Sequence, residues 1–284
     1  MLAYLGMQVE VSSNNSVKLS QPGYIDKLLT LVKFHENKLK IAKTPMNNSE
    51  HVPRADDNES VPTEFYLSLI GALNYLAQFT RPDIMYALSR CAQKCKKPTK
   101  KDLRQVVRIF CYIAGTRDYG LSFTHGSVVL WGHADSSHNS YNDAKGHLGY
   151  CFSLGEHDGS FYCKSAKIKL TTLSSTESEY VALCEAARDA VWLRRLLRDI
   201  GFPQSSPTVM FEDNKSCIDM VHGMSNHKAS KHINPKFHFT CDQVRKGKMV
   251  IRHKDTEIMV ADLLTKPLGK ASHDRLSKLM LNIP

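Results

Sequence analysis

The alternation of apolar and polar positions divides the chain into two parts with different periods. In the first part, the pattern predicts a strand over residues 3–11 and helices that begin at Ser20 and extend over 63–79, 82–96 and about 100–115. The stretch 44–62 is polar and interrupted by prolines, which indicates a loop. We therefore expect the first 120 residues to form a mainly helical unit.

The second part begins with short strands. Alternating runs predict strands over 128–134, 147–154 and 160–169, and Ser174 and Ser175 offer N-caps for a long helix that ends near Gly201. The pattern then predicts a strand at 208–212, a helix at 214–222, a helix at 234–246, a strand at 248–253 and a last helix from about Glu257. This order is typical of a mixed α/β sheet with helices on its faces.

Amino-acid composition limits the classes of protein to which the chain can belong. The 284 residues include 42% hydrophobic residues, enough for a buried core, and 38 Lys and Arg against 28 Asp and Glu give a net charge of +10. The longest apolar run, 67–77, is too short for a membrane span, and the first six residues lack a signal sequence, so we expect an intracellular protein without a membrane partner. The eight cysteines form no CxxC pair and are predicted to be reduced and mostly buried.

Four carboxylates fall at structural junctions of the second part. Asp135 follows its first predicted strand, Glu179 lies one turn into the long helix, Asp213 follows the fourth strand, and Asp262 lies in the terminal helix. If the first and fourth strands are neighbours, Asp135 and Asp213 stand side by side at their carboxyl ends. Carboxylate oxygens suit Mg²⁺, and a pair of ions can serve both the attacking and the leaving oxygen of a phosphodiester. In a basic chain, this pattern favours a nuclease.

Each acid also has a structural interpretation. Asp213 could be the N-cap of the next helix, Glu179 one of several solvated charges in TESEY, and Asp262 the partner of Lys266 one turn on. Four such positions at matching junctions of one unit favour the metal interpretation.

Long motifs surround these acids. The segments LSSTESEYVAL (173–183), FEDNKSC (211–217), SKHINPKFHF (230–239) and VADLLTKPL (260–268) resemble signature segments of the Pol polyprotein of Copia-type retrotransposons. Upstream, YLGMQVE, LSQPGYIDKLL, YLSLIGALNYLA and TRPDIMYALSR resemble, in the same order, the segments that follow its polymerase active site. The resemblance covers nearly the whole chain. It implies the C-terminal part of a reverse transcriptase over 1–124 and a ribonuclease H domain over 125–284.

The resemblance also implies a fold and a set of site residues. The fold is a ribonuclease H-like mixed five-stranded α/β sheet, preceded by a mainly helical thumb or connection remnant. Asp135, Glu179, Asp213 and Asp262 are implied to be catalytic and to bind two Mg²⁺ ions, with Mn²⁺ as a substitute. Glu179 is preferred to Glu177 because it directly precedes the Tyr-Val-Ala-Leu run. His253 is implied as an auxiliary group in proton transfer or product release, the alternative being a solvated histidine.

The implied activity is hydrolysis of the RNA strand of RNA·DNA hybrids within a Pol polyprotein of cytoplasmic virus-like particles. Its partners would be the hybrid and the palm and fingers of the reverse transcriptase. Candidate phosphate contacts are Lys164, Lys167, Lys169, Lys231 and His232, and the basic cluster 94–104 is a further one, with a solvated face as the alternative for each. The polymerase motif Tyr-x-Asp-Asp is not in the sequence, so this fragment is not expected to polymerise DNA.

The chain departs from the family pattern in two places. Ser136, Ser137 and His138 stand where a second Asp and a Trp are usual, and the segment 146–150 (GHLGY) replaces Ser-Thr-Ser-Gly-Tyr. Neither change removes a predicted ligand. Two alternatives to the enzyme therefore stay open: a catalytically inactive remnant that binds nucleic acid, and a structural module in which the acids form caps and ion pairs.

Overall fold

The chain folds into two compact units. The structure, a computed structural model, describes residues 2–35, 40–47, 53–124, 126, 128–138, 140–141, 143–223 and 238–284. The first unit comprises Met1–His125 together with Pro267–Pro284, and the second comprises Gly126–Lys266. None of the helices in these described ranges is both long enough and apolar enough to cross a bilayer.

The first unit combines a small sheet with helices. Its strands are β1 (Leu2–Tyr4), β2 (Met7–Val11), β3 (Val17–Ser20) and β4 (Gly120–Phe123), and its helices are α1 (Pro22–His35), α2 (Thr63–Phe79), α3 (Met85–Ala92), α4 (Lys100–Gly115) and α8 (Lys270–Leu281). The strands form an antiparallel sheet in the order β1-β2-β3-β4. The prediction of a single strand over 3–11 is wrong because Leu5 and Gly6, both with positive φ, reverse the chain there. The pattern did not predict β3 and β4.

The helices of the first unit follow their sequence signals closely. The bounds of α2 and α4 are those predicted, and α4 begins with a capping box in which Thr99 and Asp102 satisfy each other's backbone N–H groups. The predicted helix at 82–96 is instead a 3-10 turn, Pro82–Ile84, followed by the shorter α3. Arg81, which precedes this turn, is fully buried, and its guanidinium donates two hydrogen bonds to Asp83 at 2.8–2.9 Å.

The second unit is a mixed α/β structure, as predicted. Its strands are β5 (Trp131–Ser137), β6 (His147–Ser153), β7 (Tyr162–Lys167), β8 (Thr208–Glu212) and β9 (Met249–His253), and its helices are α5 (Ser175–Asp199), α6 (Lys215–Val221) and α7 (His238–Arg245). The strand order is β7-β6-β5-β8-β9. Strands β5, β6 and β7 pair antiparallel, whereas β8 is parallel to both β5 and β9. The first and fourth strands of this unit, β5 and β8, are neighbours, which is the condition under which Asp135 and Asp213 were expected to stand side by side.

Helix α5 covers one face of this sheet. Its buried alanines Ala182, Ala186 and Ala190 recur every four residues and form a narrow apolar stripe, which packs with Tyr150 and Phe152 of β6. Small side chains at this spacing let the helix lie close to the strands. Glu179, near the N-terminus of α5, is thereby held at one end of the sheet.

A short C-terminal segment of this unit covers part of the opposite face. Residues 256–266 form two 3-10 turns, Thr256–Ile258 and Val260–Leu264, and Met259 and Ala261 pack against Val209 and Phe211 of β8. The prediction that Asp262 lies in a terminal α-helix is therefore wrong. Pro267 prevents any helix there from continuing past Lys266, because a proline clashes with the carbonyl four residues earlier and disfavours helical geometry in the residue before it.

Candidate metal centre

Three of the four predicted carboxylates converge at one end of the second sheet. One oxygen from each of Asp135, Glu179 and Asp213 lies within 4.8 Å of the other two. Asp135 and Glu179 are buried and Asp213 is half-buried. Of the three acids, Asp213 is therefore the most accessible from outside.

The parallel pairing of β5 and β8 brings two of these acids together. His133 of β5 is in register with Phe211 of β8, so Asp135 and Asp213, each two residues further on, are side by side. Asp135 lies inside β5, which continues to Ser137, rather than after its end as predicted. Asp213 does not cap α6, because the cap is Asn214, whose Oδ1 accepts from the Cys217 N–H at 3.0 Å. Asp213 instead accepts a hydrogen bond from Thr256 at 2.7 Å.

Two glutamates near the start of α5, Glu177 and Glu179, make different contacts. Ser174 caps the helix by accepting from the Glu177 N–H at 3.2 Å, and Glu177 in turn accepts from the Leu173 N–H at 2.7 Å. Glu179, half a turn further along, reaches Asp135 and Asp213 instead. The structure thus brings Glu179, and not Glu177, into the acidic cluster.

Asp262 lies beside this cluster in an ion pair. Its Oδ1 is 2.9 Å from the Lys266 Nζ, which is also 3.7 Å from Asp135 Oδ2. The pairing of Asp262 with Lys266, left open by the sequence, is therefore present. Asp262 does not belong to the group of three close oxygens, and it shares the Lys266 ammonium with Asp135.

The segment that carries Asp262 is anchored across the sheet. Thr265 donates a hydrogen bond to Asp135, and its carbonyl accepts from Ser137 Oγ at 2.8 Å. The Leu264 carbonyl accepts from Ser165 Oγ at 2.6 Å. Gly149 of β6 permits this close approach, since a Cβ there would lie 2.5 Å from Leu264 Cβ and 2.7 Å from Thr265 Cγ2. These contacts orient Asp135 from the side opposite to α5.

A fifth carboxylate, Glu212, was missed by the sequence analysis. It is fully buried at the end of β8, with Oε1 accepting from the Asn214 N–H at 3.1 Å and Oε2 without a hydrogen-bond partner among the described residues. The available signal was strand alternation: Glu212 has the same parity as Met210, which packs in the core beneath α5. A carboxylate on the core-facing side of a strand is removed from water, so its pKa is expected to be raised.

The electrostatics of the cluster follow from burial and like charge. Burial raises the pKa of Asp135 to about 8, even though Lys266 lowers it. Burial, followed by repulsion from Asp135, raises the pKa of Glu179 to about 11. Burial also raises the pKa of Glu212 well above its usual range and raises that of Asp262. Without a counter-charge, this set of carboxylates opposes its own ionisation.

The residues fit a divalent cation of the oxygen-binding class. The close donors are all carboxylates, the ligands that Mg²⁺ and Mn²⁺ prefer, and Glu179 Oε2 is buried without a hydrogen-bond partner among the described residues. A cation placed among these acids would supply the missing positive charge. Asp135, Glu179 and Asp213 are the residues that would hold it.

The remaining predicted site residues are more scattered. His253 is exposed at the end of β9, in register with Glu212. Lys167 pairs with Asp143 at 2.7 Å, Lys164 lies 4.0 Å from Asp189, and Lys169 is exposed just after β7. Lys231 and His232 lie outside the described residues. Of these groups, those within the described ranges do not belong to the acidic cluster.

Residues that depart from the family pattern have defined contacts. His138 Nδ1 lies 3.1 Å from Ser178 Oγ and 3.2 Å from Thr172 Oγ1, next to the N-terminus of α5. His147, fully buried, contacts Tyr141 OH through Nδ1 at 2.6 Å and Ser165 Oγ through Nε2 at 2.8 Å. The substituted residues His138 and His147 are thus both held by hydrogen-bonding contacts within the second unit.

The basic cluster of the first unit is partly neutralised. Lys100 pairs with Glu59 at 2.6 Å, and Arg104 pairs with Asp56 at 3.2 Å and with Asp57. These acids come from the polar segment that precedes α2. Two of the six basic residues predicted to track a nucleic acid are therefore engaged within the protein.

Comparisons with known proteins give sequence relatives and a fold likeness. No family model matches the chain. It is 34% identical over 220 residues to the retrovirus-related Pol polyprotein from transposon RE2 of Arabidopsis thaliana, which covers 76% of this chain and 15% of that protein. It is 33% identical over 257 residues to the corresponding polyprotein from transposon RE1 of the same plant, covering 89% of this chain and 17% of that protein. The chain thus spans less than a fifth of the length of these relatives.

Among solved structures, one likeness extends over both units. The foamy viral protease–reverse transcriptase, in complex with an RNA/DNA hybrid, matches with a TM-score of 0.51 and 13% sequence identity, over 94% of this chain and 30% of that chain. At this level of identity the match concerns the fold alone. It agrees with the five-stranded mixed sheet of the second unit.

Proposed function

The chain belongs to the Pol polyproteins of retrotransposons, and from this premise we propose that it hydrolyses the RNA strand of RNA·DNA hybrids. The observation that carries the proposal is the convergence of the buried acids Asp135 and Glu179 with the accessible Asp213. The fold supports it, because the mixed sheet places Asp135 and Asp213 near the carboxyl ends of two adjacent parallel strands, and α5 brings Glu179 to them.

The proposed reaction uses two divalent cations, Mg²⁺ or Mn²⁺, held by Asp135, Glu179, Asp213 and Asp262. Bound there, the ions would lower the pKa of the attacking water and neutralise charge on the phosphate, so that no covalent enzyme intermediate is needed. Thr265 orients Asp135 through its hydrogen bond. Asp262 can contribute fully only after Lys266 releases it from the 2.9 Å ion pair.

The proposed substrate contacts come from basic and polar groups of the same unit. Lys164, Lys167 and Lys169 lie on or next to β7, and Lys231, His232 and His253 are further candidates. Lys167 would exchange its ion pair with Asp143 for a phosphate. Hybrid selectivity would come from shape and from contacts with the 2′-hydroxyl groups of the RNA strand.

The proposal extends to the organisation of the chain. Residues 1–124 would be the C-terminal part of a reverse transcriptase, and 125–284 would contain the ribonuclease H domain. The palm and fingers of that polymerase would be its partners within a longer polyprotein. The chain would act in the cytoplasm, in virus-like particles.

Cleavage of a hybrid tests the activity directly. The full chain is incubated with a DNA strand annealed to end-labelled RNA in the presence of Mg²⁺, and RNA fragments are measured. We expect cleavage by the wild type and a loss of at least 100-fold in Asp213→Asn, because one of three close ligands loses its charge.

Asp219→Asn is the matched control, because Asp219 is an exposed acid on the adjacent helix α6. It should cleave at the wild-type rate. Binding of the hybrid without any cleavage by the wild type, in either Mg²⁺ or Mn²⁺, would contradict the proposal and identify an inactive binding remnant.

A further inference from the structure

A cavity in the Gly126–Lys266 unit is lined by positively charged side chains. It has a volume of about 330 Å³ and lies between the C-terminal half of α5, the loop that follows it and the turn before β9. Its polar lining consists of Arg194, Arg195, Arg198, Lys248, Gln204 and Gln243. Within the described part of the chain, no Asp or Glu lines this cavity.

The floor of this basic cavity is held in place by hydrogen bonds. The Arg194 guanidinium donates to the Ser206 carbonyl and to Thr208 Oγ1 at 2.8–2.9 Å and to the Gln204 carbonyl at 2.7 Å. The side chain of Gln204 accepts from the Leu130 N–H at 2.9 Å and donates to the Val128 carbonyl at 3.0 Å. The floor therefore keeps a fixed positive charge in a fixed position.

The rim of the cavity carries further cations. Arg195, Arg198 and Lys248 are exposed. Arg198 pairs with Asp199 at 2.8 Å, but the Asp199 side chain is itself 62% exposed, so this pair is weak. The nearest acid on α7, Asp242, lies 3.6 Å from Arg245. The net charge around the cavity is therefore strongly positive.

The basic cavity is remote from the acidic cluster. Arg195 follows Glu179 by sixteen residues on α5 (195 − 179 = 16), which corresponds to about 24 Å along the helix axis. The cavity also lies at the end of the sheet where β8 and β9 begin, whereas the acids lie where β5 and β8 approach their carboxyl ends. A ligand confined to the cavity therefore cannot touch the carboxylates.

We propose that this cavity is a second nucleic-acid contact, which binds phosphate groups of a strand at a distance from the acidic cluster. Guanidinium groups form paired hydrogen bonds with phosphate oxygens, and the exposed Arg195 and Lys248 offer such donors at the rim, whereas both N–H groups of the Gln204 amide are used within the floor. No aromatic side chain lines the cavity within the described residues, so stacking on bases is absent and binding is independent of base sequence. This inference goes beyond the ribonuclease activity and does not require it.

A nucleic-acid strand, rather than a free nucleotide, is the favoured source of the phosphate. The positive groups extend from the floor of the cavity to an exposed rim, and a continuous strand needs such a path to enter and leave the cavity. At about 3.4 Å per nucleotide, 24 Å corresponds to roughly seven nucleotides. A strand that contacted both the basic cavity and the acidic cluster would therefore have to be longer than a hybrid of a few nucleotides. A free nucleotide shares the same phosphate chemistry and is distinguished by experiment.

Fluorescence polarisation with labelled 25-nucleotide strands tests the proposal. The parental protein is the full chain carrying Asp213→Asn, which prevents turnover. It is compared with a double variant that carries Arg195→Ala and Lys248→Ala in addition. Binding is measured without divalent cations at salt concentrations between about 50 and 300 mM. On a single strand, each lost phosphate contact lowers the salt slope by about 0.7, which is worth about fivefold in affinity at 0.1 M salt. We expect binding to weaken by roughly 5- to 25-fold and the salt slope to fall by about 1.4.

Arg188→Ala is the matched control, because Arg188 lies on the same helix, is exposed, and pairs with Glu185 at 2.5 Å outside the cavity. It should bind with the parental affinity and slope. A charge reversal, Arg195→Glu, should weaken binding further, and the melting temperature of each variant verifies folding. Unchanged affinity and slope in the double variant would overturn the proposal.

Titration with a nucleoside triphosphate distinguishes the two sources of phosphate. Tight binding of the triphosphate that is lost in the double variant, together with unchanged binding of the strand, would overturn the assignment to nucleic acid. Failure of the ribonuclease proposal has a different signature: no RNA cleavage by the wild type while the double variant still binds the strand more weakly.

Discussion

At the scale of single residues, the acidic cluster shows a conflict between stability and function. Glu179, Glu212 and Asp135 are buried with raised pKa values because burial and mutual repulsion oppose ionisation. A protein selected for stability alone would not place these groups together. Such arrangements are characteristic of functional sites, where a bound cation or substrate supplies the compensating charge.

This conflict predicts the pH dependence of the metal-free protein. The folded-state pKa of Glu179, about 11, lies above its value in the unfolded chain, so folding retains a proton that the unfolded state releases. The contribution of protonated Glu179 to the free energy of unfolding is therefore complete below about pH 4 and is lost as the pH rises toward the folded-state pKa of about 11. In EDTA, Glu179→Gln should therefore have a larger free energy of unfolding than the wild type. This difference should grow between about pH 5 and 8, by up to about 1.4 kcal/mol per pH unit.

Urea unfolding at several pH values measures this difference. Glu185→Gln, which replaces a more exposed glutamate of the same helix, serves as the control and should show no such growth. Addition of Mg²⁺ should stabilise the wild type and not Glu179→Gln. A difference between Glu179→Gln and the wild type that is constant from pH 5 to 8 would contradict the prediction.

At the scale of elements, the position of the C-terminal segment 260–266 depends on one glycine of β6. Gly149→Ala would place a Cβ only 2.5 Å from Leu264 Cβ and 2.7 Å from Thr265 Cγ2, so the segment must move away from the sheet. We expect a loss of about 1–3 kcal/mol in unfolding free energy. RNA cleavage should fall as well, because Thr265 would no longer orient Asp135.

Gly71→Ala is the matched control for this change. Nothing lies within 4 Å of a Cβ built at Gly71, which is an exposed position inside α2. The replacement should stabilise the helix by about 0.5–1 kcal/mol. Chemical denaturation and the hybrid cleavage assay measure both variants, and wild-type stability and activity in Gly149→Ala would show that the segment tolerates displacement.

At the scale of the whole molecule, the chain leaves the second unit and ends in the first. The last helix, α8, buries Leu276 and Met280 in the unit that contains the N-terminus. His273 of the same helix lies edge-on to Tyr112 of α4, with ring centroids 5.2 Å apart. The stability of the first unit therefore depends on residues that are distant in sequence.

Leu276→Ala tests this dependence. Removing a fully buried leucine should cost about 2–5 kcal/mol, and amide hydrogen exchange should accelerate in elements of the first unit such as α3 and α4. Leu279→Ala is the control on the same helix, because Leu279 is 46% exposed and its truncation should have little effect. Faster exchange in β5 and α5, with α3 and α4 unchanged, would contradict the prediction.

Much of the fold could be predicted because it depends on local signals. The bounds of α2 and α4 follow from apolar spacing and the Thr99 capping box, and the five strands of the second unit follow from alternation. The strands β3 and β4 were not predicted because they are only four residues long and pair with each other across about 100 residues of sequence. The turn at Leu5 was not predicted because positive φ is unusual for leucine.

The sequence by itself determined the order of the strands and of the long helix in the second unit, the basic charge, the family and the choice of candidate acids, since these depend on periodicity and on motifs contiguous in the chain. Only the tertiary structure decided which acids meet. The parallel pairing of β5 with β8 brings Asp135 beside Asp213, while the 3-10 turn of 260–264 leaves Asp262 with Lys266. Burial of Glu212 and the grouping of Arg194, Arg195 and Lys248 also depend on packing between elements distant in sequence. Distances and desolvation arise only when such elements come into contact, so local pattern does not specify them.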